Sequence, residues 1–318
     1  MRCWKCSLRT MPSNSKPSRK PNAPRRQPTP PRSTAQPELV DPAFILKGLA
    51  ATLAAALILA YLTLCIVYVH SAWQLILHPS RTVTTTPASQ GLPFTEVHFG
   101  VDASGQPQLD GWWIPANAPD TAFSQPEHTV LMLHGASGTM ADALAMAATL
   151  HSLRLNVLLF DYRGYGRSGS QHPTQDTMQA DAHSALDYLL NQRSLSVSSI
   201  VVYGHDLGAP LALNLCATDT VSCPSLILDA PDGDTLPRAA QDARSRAVPA
   251  LLLFHQRFPL AAPLAASSVP KLLVLHSNNP PPEELRNAHD PKTLLAVQPG
   301  DDTSLKNGIQ RFLDEYSR

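Results

Sequence analysis

The chain has 318 residues, of which 43% are hydrophobic and 16% charged, and 25 Lys+Arg balance 25 Asp+Glu. That composition can bury a core, which excludes a wholly disordered chain, and the neutral balance excludes a general polyanion binder, so no nucleic acid is assigned as a partner. The balance is uneven, because residues 1–47 hold ten Lys/Arg against two Asp/Glu.

Residues 1–43 are basic and rich in Pro and Ser, with almost no aromatic or β-branched residues over 11–43. Such a stretch buries too little apolar surface to offset its ordering entropy, so it reads as a disordered tail. Residues 44–70 read as a transmembrane helix. Within them Gly48–Val69 runs 22 residues without a charge. That is about 33 Å of helix against a hydrocarbon core of about 30 Å. Lys47 closes one side, and Tyr61, Tyr68 and Trp73 lie towards the other, where aromatic rings favour the interface. A 47-residue leader is long for a cleaved signal peptide. Leu64 also stands where a lipid anchor on Cys65 would need a small residue. The basic charges before the span place the N-terminus in the cytoplasm and the C-terminal part outside it. The lipid bilayer is thus the first expected partner.

Cys3 and Cys6 form a single CxxC. Structural zinc takes typically four ligands, and no second pair is near, so neither metal nor any other cofactor is assigned. Cys216 and Cys223 lie seven residues apart on the outer side, where a local disulfide is expected.

After a linker at 71–92, the remaining 93–318 alternates in period. Phe94–Phe99 and Leu109–Ile114 read as a strand pair. Apolar runs at 129–133, 156–160, 199–203, 225–228, 271–275 and 293–297 read as buried strands. Ala-rich helical stretches at 140–153, 176–193 and 207–217 separate them, and a helix at 304–316 closes the chain. Continuous apolar strands between helices predict an α/β domain, with a mostly parallel, doubly wound sheet covered on both faces.

Three local patterns sharpen this. The first is Leu131-Met-Leu-His-Gly-Ala136. The second is Phe160-Asp-Tyr-Arg-Gly-Tyr-Gly-Arg-Ser-Gly169. The third is Val201-Val-Tyr-Gly-His-Asp-Leu-Gly-Ala209. Together they resemble the α/β-hydrolase fold, most of all its single-span, serine-aminopeptidase-like membrane branch. The resemblance covers about 93–318. It implies structural roles for His134, Gly135, Asp161, Arg163, Gly164 and Gly166. It makes Gly204 and Gly208 the small residues of a nucleophile elbow, where bulk would collide. It also puts the oxyanion hole at the backbone N–H groups of Ala136 and Leu207.

The residue between the elbow glycines should be Ser, and here it is Asp206. Haloalkane dehalogenases and epoxide hydrolases resemble the sequence at this point, since they use a carboxylate nucleophile and a His-activated water. They also need Tyr or Trp to hold the leaving group. The cap position, 232–270, contains neither. The family base follows the last strand, where this chain has Asp302 or Thr303, and no His occurs after His289. The loop that should carry the acid reads His276-Ser-Asn-Asn-Pro280. Asp229, Asp232 and Asp234 are possible relocated acids. His205 adjoins Asp206, but neighbouring elbow side chains point apart, and His276 matches a structural position of the family. Ser137 and Ser168 read as turn hydroxyls.

The expectation is therefore a membrane-anchored α/β-hydrolase-fold protein of serine-hydrolase lineage, with a short cap and a degraded triad. It would bind a small acyl-like or peptide-like ligand, or a protein partner, with little turnover. The alternative is an active hydrolase that uses Asp206 covalently or a base not recognised in the sequence.

Overall fold

The computed structural model describes residues 41–116, 128–217, 223–277 and 279–316. Residues 1–40, with Cys3 and Cys6 and most of the expected basic tail, lie outside the described residues.

The first helix, α1, runs from Pro42 to Ser71. The Asp41 carboxylate caps it by accepting the Ala43 N–H at 2.9 Å. It is apolar on every face, and Leu49, Leu57 and Leu62 are all exposed. A helix apolar all round belongs either in a core or in a bilayer. Its length and composition are sufficient to cross a membrane, which is compatible with single-pass anchoring.

The stretch 71–92, expected as a linker, is instead packed into the domain. It forms a 3-10 turn at Ala72–Leu75, the two-residue strand β1 (His78–Pro79) and a second 3-10 turn at Pro87–Gln90. Ile76 and Leu77 are buried. β1 pairs in parallel with β5 (Ser137–Gly138).

The main sheet is built from β2 (Thr95–Val101), β3 (Pro107–Ile114), β4 (Thr129–Leu133), β6 (Asn156–Asp161), β7 (Ile200–His205), β8 (Leu226–Asp229), β9 (Lys271–Leu275) and β10 (Lys292–Ala296). Its order is β10-β9-β8-β7-β4-β6-β3-β2. β3 runs antiparallel to both β2 and β6, and the other neighbours are parallel. The expected strand pair and the expected parallel runs are thus all present, with ends shifted by up to two residues.

Side chains alternate across this sheet with the period of two that extended backbone imposes. Leu131, Leu133, Leu158, Phe160, Val202, Leu228 and Leu273 join one core. Val130, Met132, Val157, Leu159, Val201, Tyr203, Ile227, Leu272 and Val274 join the other. The first core takes in α3 (Gln175–Asp187) and α4 (Gly208–Ala217), and the second takes in α2 (Leu144–Ser152) and α9 (Asp302–Tyr316). The helix expected over 176–193 changes to a π turn at Tyr188–Gln192. Between β8 and β9 the cap carries α5 (Leu236–Gln241), α6 (Ala250–Leu253) and α7 (Ala261–Ala266), and α8 (Glu283–Arg286) precedes β10.

Cys216, at the end of α4, and Cys223, just before β8, are disulfide-bonded with a Cα separation of 5.4 Å.

Candidate active site

The C-terminal ends of the parallel strands collect the polar residues, as open α/β sheets generally do. β7 turns sharply into α4 at Asp206, whose φ of +53° lies in the left-handed region. That strain is tolerated because the flanking positions are small. A Cβ on Gly204 would meet the Gly208 carbonyl oxygen at 2.5 Å, and one on Gly208 would meet the Leu133 oxygen at 2.1 Å. The backbone is held from both sides. Asp206 N–H donates to the Asp229 oxygen at 3.1 Å, and the Asp206 oxygen accepts from Ala209 N–H at 3.1 Å. The elbow expected from the sequence is formed in full, with a carboxylate at its tip.

That carboxylate does not project freely. Its Oδ2 accepts the backbone N–H of Ala136 at 2.9 Å. Gly135 makes room for it, since a Cβ there would meet Oδ2 at 2.7 Å. One donor of the expected oxyanion hole is therefore already engaged by the residue in the nucleophile position. Leu207, the other expected donor, is fully buried.

The 161–169 loop braces this strand end. Tyr162 hydroxyl donates to the His134 oxygen at 3.1 Å, and Tyr165 hydroxyl donates to the Ala136 oxygen at 2.8 Å. Arg163 is tied to Asp181 through its backbone N–H at 2.8 Å and its Nε at 2.6 Å. Ser168 Oγ donates to the Asp161 oxygen at 2.6 Å and also accepts the Asp110 N–H of β3 at 2.9 Å, so it ties the loop to a neighbouring strand and is more than the local turn hydroxyl expected. Gly166 wraps Asp161 so closely that a Cβ would meet Oδ2 at 1.8 Å. His134 and Asp161 approach to 3.6 Å but are not an ion pair near neutrality. Burial pushes the His134 imidazole down to about 4 and the Asp161 carboxyl up to about 7.

Among the described residues no imidazole hydrogen-bonds to Asp206. The expected base position is taken up by helix capping. Asp301 Oδ1 accepts the Ser304 N–H at 3.0 Å, and Asp302 begins α9. His289 is exposed, and its Nδ1 faces the Asp290 oxygen at 2.5 Å. Asp232 pairs with Arg238 at 2.5 Å, and Asp234 accepts N–H groups of Leu260 and Ala261. Among the described residues neither of these two candidate acids is hydrogen-bonded to a histidine.

Asp229 is, and in a way the sequence did not reveal. It is 3% exposed and sits beside three donors. Tyr203 hydroxyl and His205 Nδ1, the latter at 3.2 Å, meet Oδ2, while His276 Nε2 meets Oδ1 at 2.5 Å. Burial works to raise the Asp229 carboxyl, yet the hydrogen bonds from His205 and Tyr203 hold it below its usual range. The bond to Asp229 in turn raises the His205 imidazole above its ordinary value. His276, expected in a structural role, is thus a partner of the buried acid. His205 is bonded to Asp229 of β8 and makes no hydrogen bond to Asp206, although the Asp206 carboxyl is close enough to help raise it. The only signal in the sequence was a polar residue at the end of each of three apolar runs. Their meeting depends on strand order and on a register that sets His205 opposite Asp229.

Residues 128–268 match the family model described as alpha/beta hydrolase fold. The chain is 35% identical over 103 residues to the uncharacterized protein YfhR of Salmonella typhi, covering 31% of this chain and 33% of that one. It is 35% identical over 102 residues to protein bem46 of Schizosaccharomyces pombe, covering 32% and 34%. The match therefore spans about a third of the length of these curated relatives. Among solved structures, the Pyrococcus furiosus esterase Pf2001 superposes with a TM-score of 0.56 at 18% identity, covering 76% of this chain and 99% of that one. At that identity the likeness is one of fold.

Proposed function

We propose that the hydrolase-fold domain of this chain, a member of the α/β-hydrolase superfamily, binds a small acyl-like or peptide-like ligand, or a protein partner, with little or no turnover. The observation that carries this reading is the Asp206 carboxylate, seated on the Ala136 N–H with no imidazole bonded to it. An acyl-transfer site needs that N–H free for the oxyanion that develops in the transition state. It also needs a nucleophile whose proton an adjacent base can take. Here the hole already holds an anion and the base position is a helix cap. The apolar α1 and the basic charge ahead of it support membrane anchoring with a cytoplasmic N-terminus.

Fluorophosphonate probes, which require an activated Ser, are expected to leave the full chain unlabelled. Asp206→Ser alone is expected not to raise p-nitrophenyl acetate hydrolysis above wild type. Stoichiometric labelling of any serine, or strong hydrolysis by that variant, would refute the degraded-triad reading.

One observation favours a second reading. Only Oδ2 of Asp206 is bonded to the hole, which leaves Oδ1 without a bond to it. A carboxylate held this way can attack an sp³ carbon and form an ester, as the carbon–halogen bond breaks and halide leaves, or as an epoxide C–O bond breaks and its oxygen takes a proton from water. Without a base to activate water the ester would persist. Intact-mass analysis after incubation with a small epoxide or haloalkane distinguishes the cases. No adduct fits binding alone, a lasting single adduct abolished by Asp206→Ala fits a trapped nucleophile, and multiple turnover would mean that a working base exists.

A further inference from the structure

We infer that the short cap helix α6 seats Leu251 and Leu252 in the interface of the same bilayer that α1 crosses, so that the cap rests on the membrane. The inference builds on the membrane-spanning reading of α1.

The first observation is where the domain grips the helix. Tyr68 lies in the last turn of the apolar run and is only 4% exposed. Its hydroxyl shares a 2.9 Å hydrogen bond with Ser245 Oγ in the cap. Ser245 Oγ is also 2.6 Å from the Ala239 oxygen at α5, which fixes it in place. Tyr68 and Ala72 join the same core as Val248 and Ala250 of the cap. Yet on the same turns of α1, Ile66, Val67 and Val69 are 59%, 56% and 39% exposed. One flank of the helix end is therefore held by the cap while the other is bare and apolar. A bilayer that covers the bare flank reaches the depth of Ser245, because both flanks belong to the same turns of one helix.

The second observation is the cap's own surface. Leu251 and Leu252 are 67% and 76% exposed. Outside α1, the other exposed large hydrophobics among the described residues are Val101 and Leu294, which stand singly. Scattered exposed apolar residues need no explanation, but an adjacent pair on a short helix next to a membrane anchor does. The pair follows Ser245 by only six and seven residues, so it cannot lie more than about 25 Å from it even in extended chain. Arg246 and Arg257 bracket the pair in sequence, and Arg257 Nη2 donates to the Leu251 oxygen at 2.6 Å. Leucines flanked by arginines suit an interface in which apolar side chains enter the acyl boundary and guanidinium groups remain among the phosphates.

The test uses the full chain reconstituted in phosphatidylcholine–phosphatidylglycerol vesicles. A nitroxide is carried on a ketone-bearing residue introduced in place of Leu252, which leaves the native cysteines untouched. Leu57, within α1, gives the lipid reference, and Val101, on the β2–β3 hairpin, gives the aqueous one. All three side chains are exposed, so the substitutions leave the fold intact. Collision rates with dissolved oxygen, which concentrates in lipid, are compared with those of a water-soluble nickel chelate. The expected oxygen-to-nickel ratio at 252 is several-fold above that at 101 and approaches that at 57. A ratio at 252 equal to that at 101, with 57 still reading as lipid, would overturn the inference and leave the span standing. Low access to both reagents at 252 would mean that protein covers the pair, and would also overturn it. Aqueous values at 57 would remove the membrane span itself, and the inference with it.

Discussion

At the residue scale, burial rather than proximity decides the charge states behind the elbow. His134 and Asp161 are within reach of an ion pair, but both are almost fully enclosed, and each is pushed towards its neutral form. Asp161 Oδ1 accepts the Met140 N–H at 2.7 Å, and Oδ2 has no hydrogen-bond partner among the described residues. Its folded value is raised to about 7 from 3.8. Between those values the folded protein holds a proton that the unfolded chain has released, so stability falls as pH rises from about 4 towards 7. Asp161→Asn removes that dependence while keeping an oxygen for Met140. Relative to wild type, the variant is expected to gain about 2–3 kcal/mol of unfolding free energy between pH 5 and pH 8. The lowered His134 acts with the opposite sign as pH falls, but it is common to both proteins and leaves the difference. Unfolding measured at the two pH values checks this. An unchanged difference would mean that Asp161 is already ionised in the fold at pH 5.

At the element scale, the elbow is a contact between the end of β4 and the start of α4 that only missing side chains permit. The Leu133 oxygen lies 2.1 Å from where a Gly208 Cβ would stand, and backbone on both sides leaves little room to yield. Gly208→Ala is therefore expected to destabilise the domain by at least about 2 kcal/mol, at the upper end of overpacking effects. A thermal midpoint within a degree of wild type would contradict the described register of β4 against β7. Gly91, Gly105 and Gly300 have open space where a Cβ would lie. The contrast shows that the elbow glycines are required by packing and not merely by turn conformation.

At the scale of the whole molecule, the charge step around Lys47 and the Cys216–Cys223 bond lead to one expectation. A chain with a cytoplasmic N-terminus exports the hydrolase-fold domain to a compartment where disulfides persist. A C-terminal reporter that works only outside the cytoplasm should then be active. Cys216 and Cys223 should also resist alkylation under denaturing conditions until a reductant is added. An inactive reporter, together with freely alkylated Cys216 and Cys223, would reverse the orientation.

The primary sequence by itself determined the apolar span, the strand–helix alternation and the elbow, because each rests on residues adjacent in the chain. A run without charges, a period of two and a glycine two before and two after a turn are all local. The lack of Ser at the elbow and of His in the turn after β10 was legible for the same reason, since Asp206 and that turn are read directly. What the carboxylate at the elbow touches was not legible. The bond from Ala136 to Asp206 joins residues seventy apart. The choice of Asp229 over Asp232 and Asp234 as the partner of histidine depends on β8 lying between β7 and β9. The packing of the expected linker and the grip of Ser245 on Tyr68 likewise join distant segments. Local pattern sets which elements form. Which of their ends meet depends on strand order and burial, and those exist only once the chain has closed on its core.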